Sequence, residues 1–330
     1  MKNDAGAKRK IQLKSYYMLI LLILLCITFS MLSSSFLTVT NWSNLLIVQA
    51  TTGAMALGAI FVLILGEFDV SLGYMISFCM MTGAVLSENG CNGVLTILIM
   101  IAVGAAWGFI SGLLTVKMKI SSFISTLGVG ILLFGLNLAI SNGEVHSSGI
   151  PTIMTAIGQR KVFGIGLCFW ILLLFCAVVY IMLNHTTFGR SLYAVGGSEK
   201  IAFLAGIRTD RVRILAFVLS GAFTGLASVF QLGQAGAANP SSGPNLLMPT
   251  YAIVFLSATA FKPGTYNVLG LLLSIIMLGV GINGLNLIGA ASWAEFVYHG
   301  GVLIVAVFLS QIDRYKKQPR KTNLAARKEM

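Results

Sequence analysis

Charged residues are scarce in this chain, and their scarcity excludes a water-soluble fold. Only 10% of the 330 residues are Asp, Glu, Lys or Arg, whereas 57% are apolar, and the mean hydropathy is +0.90. A soluble domain contains about 25% charged residues, because a molecule of this size needs polar side chains to cover its surface. We therefore expect the chain to be dissolved in lipid, as an integral membrane protein.

Motifs that carry reaction chemistry are also missing. The sequence has no Gly-x-x-x-x-Gly-Lys-Ser/Thr loop for nucleotide phosphates, no nucleophile elbow and no His-Glu-x-x-His pair. Its three histidines are scattered, and its five cysteines show no metal-ligand spacing and no even count for a disulfide framework. We expect no catalytic residue, no metal and no bound cofactor, and hence a protein that is not itself an enzyme.

What the chain has instead is long apolar runs. A transmembrane helix needs about 17–25 mostly apolar residues to cross a hydrocarbon core of ~30 Å. The first run is about 20 residues long, longer than the apolar part of a usual signal peptide, so we interpret it as a retained span. The third and eighth runs are short, and Pro249 leaves open whether the eighth crosses fully. The ten predicted spans are residues 17–37, 45–66, 72–88, 94–116, 122–141, 163–184, 213–233, 245–261, 266–287 and 294–312.

The basic residues orient these spans. A net charge of +12 suits either nucleic-acid binding or cytoplasmic anchoring of loops. In the ten-span arrangement, 20 of the 22 Lys and Arg residues fall on one side, and only Arg160 and Lys161 fall on the other. This segregation favours anchoring and marks the richer side as cytoplasmic. We predict a polytopic all-α bundle (17–312) between cytoplasmic basic tails, 1–16 and 313–330, with no nucleic-acid partner.

Small residues four positions apart indicate close helix packing inside this bundle. Gly104 and Gly108 form one such pair, and Gly221 and Gly225 form another. Glycines at this spacing let transmembrane helices approach closely. Both pairs therefore predict a compact arrangement.

The longest polar segment between spans on the predicted cytoplasmic side is 185–212. Ser198 can cap a short helix there, Glu199 suits its positive N-terminal end, and Gly206 can close it. Ile201, Ala202 and Leu204 or Ala205 are available for burial against a partner surface. A helix of about two turns is not stable alone, so it should dock on something.

This segment resembles the coupling loop of the ribose-type family of ABC-transporter permeases, which pack a short cytoplasmic helix into a groove of an ATPase subunit. The family's Glu-Ala-Ala-x-x-x-Gly pattern begins at Lys200 here, so only Ala202 and Gly206 match it, and Glu199 stands one position early. The alternative is a loop helix that packs on its own bundle. The resemblance implies that the ATPase-coupling residues are Glu199, Lys200, Ala202, Leu204, Gly206 and Ile207.

Other segments extend the resemblance over residues 43–310. Residues 66–73 (GEFDVSLG) are similar to the family's Gly-Gly-Ile-Asp-Leu-Ser-Val-Gly element, and 121–128 (SSFISTLG) to its Pro-Phe-Ile-x-Thr-Leu-Gly element. The resemblance implies the permease subunit of a sugar importer in a bacterial inner membrane. It also implies a second permease copy or paralogue, ATPase subunits that use ATP and Mg, and an extracytoplasmic solute-binding protein.

Two groups of residues are further candidates for function. Glu67 and Asp69 directly follow a span, where carboxylates are costly and often functional. They could form a gate, or Asp69 could cap the third span while Glu67 lies at the interface.

Amides and aromatic rings at membrane depth could bind sugar hydroxyls and rings, or simply bond neighbouring helices. The predicted substrate path comprises Gln49, Thr126, Phe134, Asn137, Asn283, Asn286 and Trp293.

Two other function classes fit the sequence less well. An ion-coupled secondary transporter would need ionisable residues inside its spans. The predicted spans are almost free of them, and Glu295, near the outer end of the tenth span, is a poor candidate. A membrane enzyme would need a convergent reactive set, and none is visible.

Overall fold

The computed structural model describes residues 4–317, with side chains from 18 to 308. The regular elements in this part are helices and one small hairpin, whose strands are β1 (Lys161–Val162) and β2 (Ile165–Gly166). The α-helices are α1 (Asp4–Leu32), α2 (Val39–Ile64), α3 (Leu72–Glu88), α4 (Gly93–Val116), α5 (Ser122–Ser141), α6 (Thr152–Gln159), α7 (Leu167–His185), α8 (Thr187–Gly197), α9 (Glu199–Leu204), α10 (Thr209–Ala235), α11 (Leu247–Ser257), α12 (Val268–Leu287) and α13 (Trp293–Lys317).

A helix occupies each of the ten predicted spans, and the bounds of α3 and α5 match the prediction. Six helices in the described part, α2, α4, α5, α7, α10 and α12, are long and apolar enough to cross a membrane. Shorter apolar helical stretches cover Met18–Leu32, Leu72–Glu88 and Trp293–Phe308. The chain is a multi-pass membrane protein.

Three predicted boundaries are wrong, and each error has a local cause. Helix α1 ends at Leu32 and α2 begins at Val39, because the Thr38 side chain accepts a hydrogen bond from the N–H of Asn41 and starts the new helix early. The sixth span begins at Leu167, because the preceding residues form the β1–β2 hairpin instead. The all-α prediction missed this hairpin and the separate short helix α6.

The eighth predicted span is not one continuous α-helix. Its α-helix, α11, has only 11 residues, which cover about 17 Å at ~1.5 Å per residue. A 3₁₀ helix at Gly243–Leu246 precedes it, and turns at 258–267 follow it. Helix α11 alone is therefore too short to cross the membrane.

The interior is organised around α2 and α10, which are buried along most of their length. Phe61 of α2 stacks on Phe223 of α10, with ring centroids 6.2 Å apart. Helix α4 lies directly against α10. Both glycine pairs lie in this contact. A Cβ at Gly104 would overlap the carbonyl oxygen of Gly221, and a Cβ at Gly221 would overlap the carbonyl oxygen of Gly104. The predicted close packing at these glycines is confirmed.

Contacts between loops divide the connections into two ends of the bundle. At one end, Lys117 Nζ lies 2.6 Å from Asp210 Oδ2, and Lys262 Nζ donates to Asn184 Oδ1 at 3.2 Å. We call this the basic end, because eight of the ten Lys and Arg residues between 18 and 308 lie there. It comprises residues 65–71, 117–121, 184–213 and 258–267.

At the other end, which we call the hairpin end, His146 and Ala238 pair through their backbones. Lys161 Nζ donates to Asn44 Oδ1 at 3.1 Å. Arg160 and Lys161 are the Lys and Arg residues of this end. The connections there are residues 33–38, 89–92, 142–166, 236–242 and 288–292. The 3₁₀ helix that follows, Gly243–Leu246, lies deeper, against the first turns of α3.

Candidate functional site

A pair of short helices, α8 and α9, forms the surface of the basic end. Ser198 separates them in an extended conformation, and its hydroxyl accepts a hydrogen bond from the N–H of Ile201. After α9, Gly206 has φ +83°, and its N–H donates to the carbonyl of Phe203 at 2.9 Å. Glycine adopts this left-handed conformation without the steric cost of a Cβ. The predicted helix, its serine cap and its closing glycine are confirmed.

Helix α9 leaves most of its apolar side chains uncovered. Ala202 is 3% exposed and attaches the helix to the bundle, whereas Ile201, Phe203 and Leu204 are 69%, 68% and 76% exposed. We call Ile201, Phe203 and Leu204 the docking patch. An exposed apolar patch within polar surroundings is typical of a protein-interaction site. The patch lies at the end of the bundle, on a six-residue helix flanked by charged residues.

A three-membered ion network lies directly behind α9. The guanidinium of Arg213, in the first turns of α10, donates to Glu67 Oε1 at 2.7 Å and to Glu199 Oε1 at 2.9 Å. Arg213 and Glu67 are 19% and 13% exposed, while Glu199 is 49% exposed. Burial raises the pKa of Glu67, and the neighbouring Arg213 opposes that rise. The network joins α9, α10 and the chain between α2 and α3.

Residues 65–71 form the α2–α3 loop, which is hydrogen-bonded to three helices. The N–H of Phe68 donates to Ser122 Oγ at 3.3 Å, and the N–H of Val70 donates to Thr126 Oγ1 at 3.0 Å, both on α5. The buried carboxylate of Asp69 accepts from the hydroxyl of Ser220 on α10. The loop is thus held by side chains of α5 and α10.

Asp69 makes two further contacts. Its N–H donates to the hydroxyl oxygen of Tyr251, on α11, at 2.8 Å. Its carboxylate accepts from the N–H and hydroxyl of Ser71, the residue before α3. Asp69 therefore fixes Ser71, the N-cap residue of α3, without bonding the N–H groups of the helix itself, and it also links α10 and α11.

A cleft of about 550 Å³ opens beside this network. Thr115 and Lys119 lie on one wall, Asp210 lies on the other, and all three members of the ion network line it. The cleft separates the α4–α5 connection from α9 and the start of α10. It leaves free volume next to the half-exposed Glu199.

The predicted substrate-path residues do not form one cluster. Gln49 is buried and bonded within α2 to the hydroxyl of Thr52, and Thr126 bonds the α2–α3 loop. Asn283 exchanges two hydrogen bonds with Asn41. These hydrogen bonds join parts of the protein to one another, as expected for polar residues that stabilise helix packing. The role of each residue in solute passage stays a prediction.

Of the remaining members, Asn137, Asn286 and Trp293 lie toward the hairpin end, whereas Phe134 lies at mid-depth. Asn286 donates to Glu295 at 2.9 Å, and Trp293 is largely exposed. The ring of Phe134 contacts Tyr74, with centroids 5.8 Å apart. Asn137 is fully buried and donates to the carbonyl of Pro240 at 3.0 Å, but its own Oδ1 has no partner.

His146 connects three segments at the hairpin end. Its Nδ1 lies 2.8 Å from Glu88 Oε2 at the end of α3, and its backbone pairs with Ala238. The hydrogen bond with Glu88 raises the pKa of His146 above its ordinary value of 6.5. The imidazolium form is therefore the one that the contact stabilises.

We expect the 142–150 loop to loosen as pH rises. Because the folded pKa of His146 is raised, the stabilisation is fully present below about pH 6.5 and is lost as pH rises through the folded value. Hydrogen-exchange protection of the 142–150 amides, corrected for intrinsic rates, should fall over that range. Glu88→Gln should flatten the profile, and identical profiles in the two proteins would contradict this assignment.

Two important positions were missed by sequence reasoning. In the sequence, Arg213 is one of several basic residues on the predicted cytoplasmic side, and Phe203 has no feature that separates it from the neighbouring apolar residues. Arg213 could have been found from the neutral, apolar residues that follow it, since a charge at the edge of a span usually needs a partner. Phe203 carries no such signal, because its exposure depends on how α9 packs.

The sequence matches a family model described as branched-chain amino acid transport system / permease component, over residues 41–307. The ribose import permease protein RbsC of Bacillus subtilis (strain 168) is 32% identical over 88% of this chain and 90% of its own length. RbsC of Escherichia coli (strain K12) is 28% identical over 88% of this chain and 92% of its own length. The L-arabinose transport system permease protein AraH of the same strain is 29% identical over 93% of this chain and 92% of its own length.

Among solved structures, a metal-chelate type ABC transporter in an inward-facing conformation is similar over 92% of this chain and 98% of its own. The TM-score is 0.45 and the sequence identity is 16%.

Proposed function

The chain belongs to the family of branched-chain amino acid transport system permease components, and from this membership we propose that it is the membrane-spanning subunit of an ATP-driven sugar importer. The relatives named above are permease proteins of ribose import and of an L-arabinose transport system. They support a pentose or a similar sugar as the solute. The proposed location is a bacterial inner membrane.

The observation that carries this proposal is the docking patch. Three large apolar side chains stand exposed on α9, at the end of the bundle where the basic residues collect. The positive-inside rule favours the cytoplasm for that end. A separate ATPase subunit, which binds the ATP and Mg, would cover the patch there. This chain then needs no catalytic residue, because energy enters through the contact.

The rest of the proposal concerns the outer face and the second subunit. Ten crossings with both termini in the cytoplasm remain the arrangement that we favour. A solute-binding protein would deliver sugar to the hairpin end, and a second copy of the chain or a paralogue would complete the path. Alternating access would follow when ATP-driven closure of the ATPase pair moves α9.

The competing function, an ion-coupled secondary transporter, is not favoured by the relatives. It also requires ionisable groups within the membrane. Between residues 18 and 308 the spanning helices carry few, and Glu295 is bonded to Asn286 close to the start of α13.

Reconstituted uptake tests the proposal. The chain is placed in proteoliposomes with its candidate ATPase subunit and binding protein, and uptake of labelled ribose and L-arabinose is followed. We expect uptake only when ATP and the ATPase are both present. Equal uptake without ATPase, driven by a proton or sodium gradient, would overturn the proposal.

A further inference from the structure

We propose that Arg213 is a positioning residue that transmits movement of α9 to the α2–α3 loop. It does so by binding Glu199 and Glu67 at the same time. This inference rests on the proposed function, since it assumes that an ATPase subunit moves α9. It adds to that function the route by which the movement reaches the transmembrane helices.

The geometry gives Arg213 two different partners in two different elements. Its Nε and one terminal nitrogen bind Glu67 Oε1, each at 2.7 Å, and the other terminal nitrogen binds Glu199 Oε1 at 2.9 Å. A guanidinium can do this because its five N–H groups form a fixed planar fork. An ammonium is a point charge and does not impose the same geometry.

The two contacts differ in strength. The pair with Glu67 is mostly shielded from water, whereas Glu199 is half exposed. Charge pairs weaken with exposure to solvent. The inner contact therefore fixes Arg213 to the bundle, and the outer contact can lengthen and re-form as α9 moves. The cleft beside Glu199 supplies the volume for that movement.

The inner partner is attached to several helices at once. Glu67 belongs to the α2–α3 loop, which is bonded to α5 through Ser122 and to α10 and α11 through Asp69. A displacement of Glu67 therefore acts on α2, α3, α5, α10 and α11 together. By contrast, the neighbouring pair Lys117–Asp210 is about half exposed and joins only the α4–α5 connection to α10.

The remaining direct attachment of α9 is weak. Ala202 is its single buried residue, and a methyl group offers little resistance to sliding. Without Arg213, movement of the docking patch would be absorbed locally by this short helix. The ion network turns a loosely held helix into one that is linked to the core.

The test compares Arg213→Gln, Arg213→Lys and Glu199→Gln with a control, Lys117→Gln. Each complex is reconstituted with ATPase and binding protein, and ATPase co-purification, ATP hydrolysis and sugar uptake are measured. We expect the ATPase to bind and hydrolyse ATP in all four variants. In Arg213→Gln the sugar transported per ATP should fall about tenfold, within the ~5–150-fold range of coupling between sites. The sugar transported per ATP should fall less in Arg213→Lys and Glu199→Gln. In Lys117→Gln this ratio should equal that of the unchanged protein.

The possible failures are distinct. Unchanged transport per ATP in Arg213→Gln, or an equal loss in Lys117→Gln, would overturn the role of Arg213 and leave the proposed function intact. Loss of ATPase binding in folded Arg213→Gln would also overturn it, because the residue would then belong to the docking surface. If Arg213→Gln fails to fold, the half-exposed Glu199→Gln decides by the same ratio. Failure of the unchanged chain to bind any ATPase would instead overturn the proposed function.

Discussion

Changing Leu204 to aspartate is expected to abolish both co-purification of the ATPase subunit and ATP-driven uptake, while the chain still inserts and folds. Leu204 is 76% exposed, so a carboxylate costs the isolated chain almost nothing. In the complex, burial of a leucine side chain contributes about 1.5–3 kcal/mol. An unpaired buried carboxylate costs several kcal/mol more. A combined change of ~5 kcal/mol weakens binding by more than a thousandfold.

The matched control is Val145→Asp. Val145 is also an exposed aliphatic residue, 56% accessible, but it lies in the 142–150 loop at the opposite end of the bundle. Co-purification with the ATPase should be unchanged in this variant. Full ATPase binding by Leu204→Asp would show that the docking patch is not the interface.

Gly221→Val should destabilise the fold more than any surface change. The α4–α10 contact has no room for a side chain, because a Cβ at Gly221 would overlap the carbonyl oxygen of Gly104. Backbone atoms cannot move away as the end of a flexible side chain can. We therefore expect the free energy of unfolding to fall by at least the ~1–3 kcal/mol typical of overpacking. In detergent, the melting temperature of the single chain should fall sharply or folded protein should not be recovered.

Gly135→Val is the matched control for this prediction. Gly135 lies within α5, and apart from its chain neighbours and the adjacent backbone of α5, no atom of the described structure lies within 4 Å of the position that its Cβ would take. Both changes replace a helical glycine by valine, so their effects on backbone entropy and on helix propensity are the same. Melting temperatures that fall equally in the two variants would contradict the packing explanation.

The sequence predicts the membrane class and most of the helices because both depend on local composition. Long apolar runs require helices in lipid, and the bounds of α3 and α5 follow from where those runs stop. The eighth run was predicted to be short, and α11 is short. The hairpin at 161–166 and the exact ends of α11 were not predicted, because they depend on contacts with distant residues. The Trp170 indole donates to the Val162 carbonyl at 3.1 Å, and Tyr251 binds the α2–α3 loop.

The candidate site was predictable only in its local part. Ser198 and Gly206 are short-range signals, and the structure has the cap and the left-handed turn that they indicate. The Glu67–Arg213–Glu199 network joins residues up to 146 positions apart, so spacing in the sequence gave no sign of it. The substrate-path residues were chosen by chemistry at membrane depth, and that criterion does not distinguish a solute contact from a helix contact.

Labelling of Leu204→Cys tests the central claim most directly. In a Cys91→Ser background, a membrane-impermeant maleimide is added to right-side-out and inside-out vesicles, with Val145→Cys as the outward-facing reference. The account predicts that Leu204→Cys reacts only in inside-out vesicles and that bound ATPase subunits block the reaction. Reaction from outside, or a rate that is unaffected by bound ATPase, would contradict it.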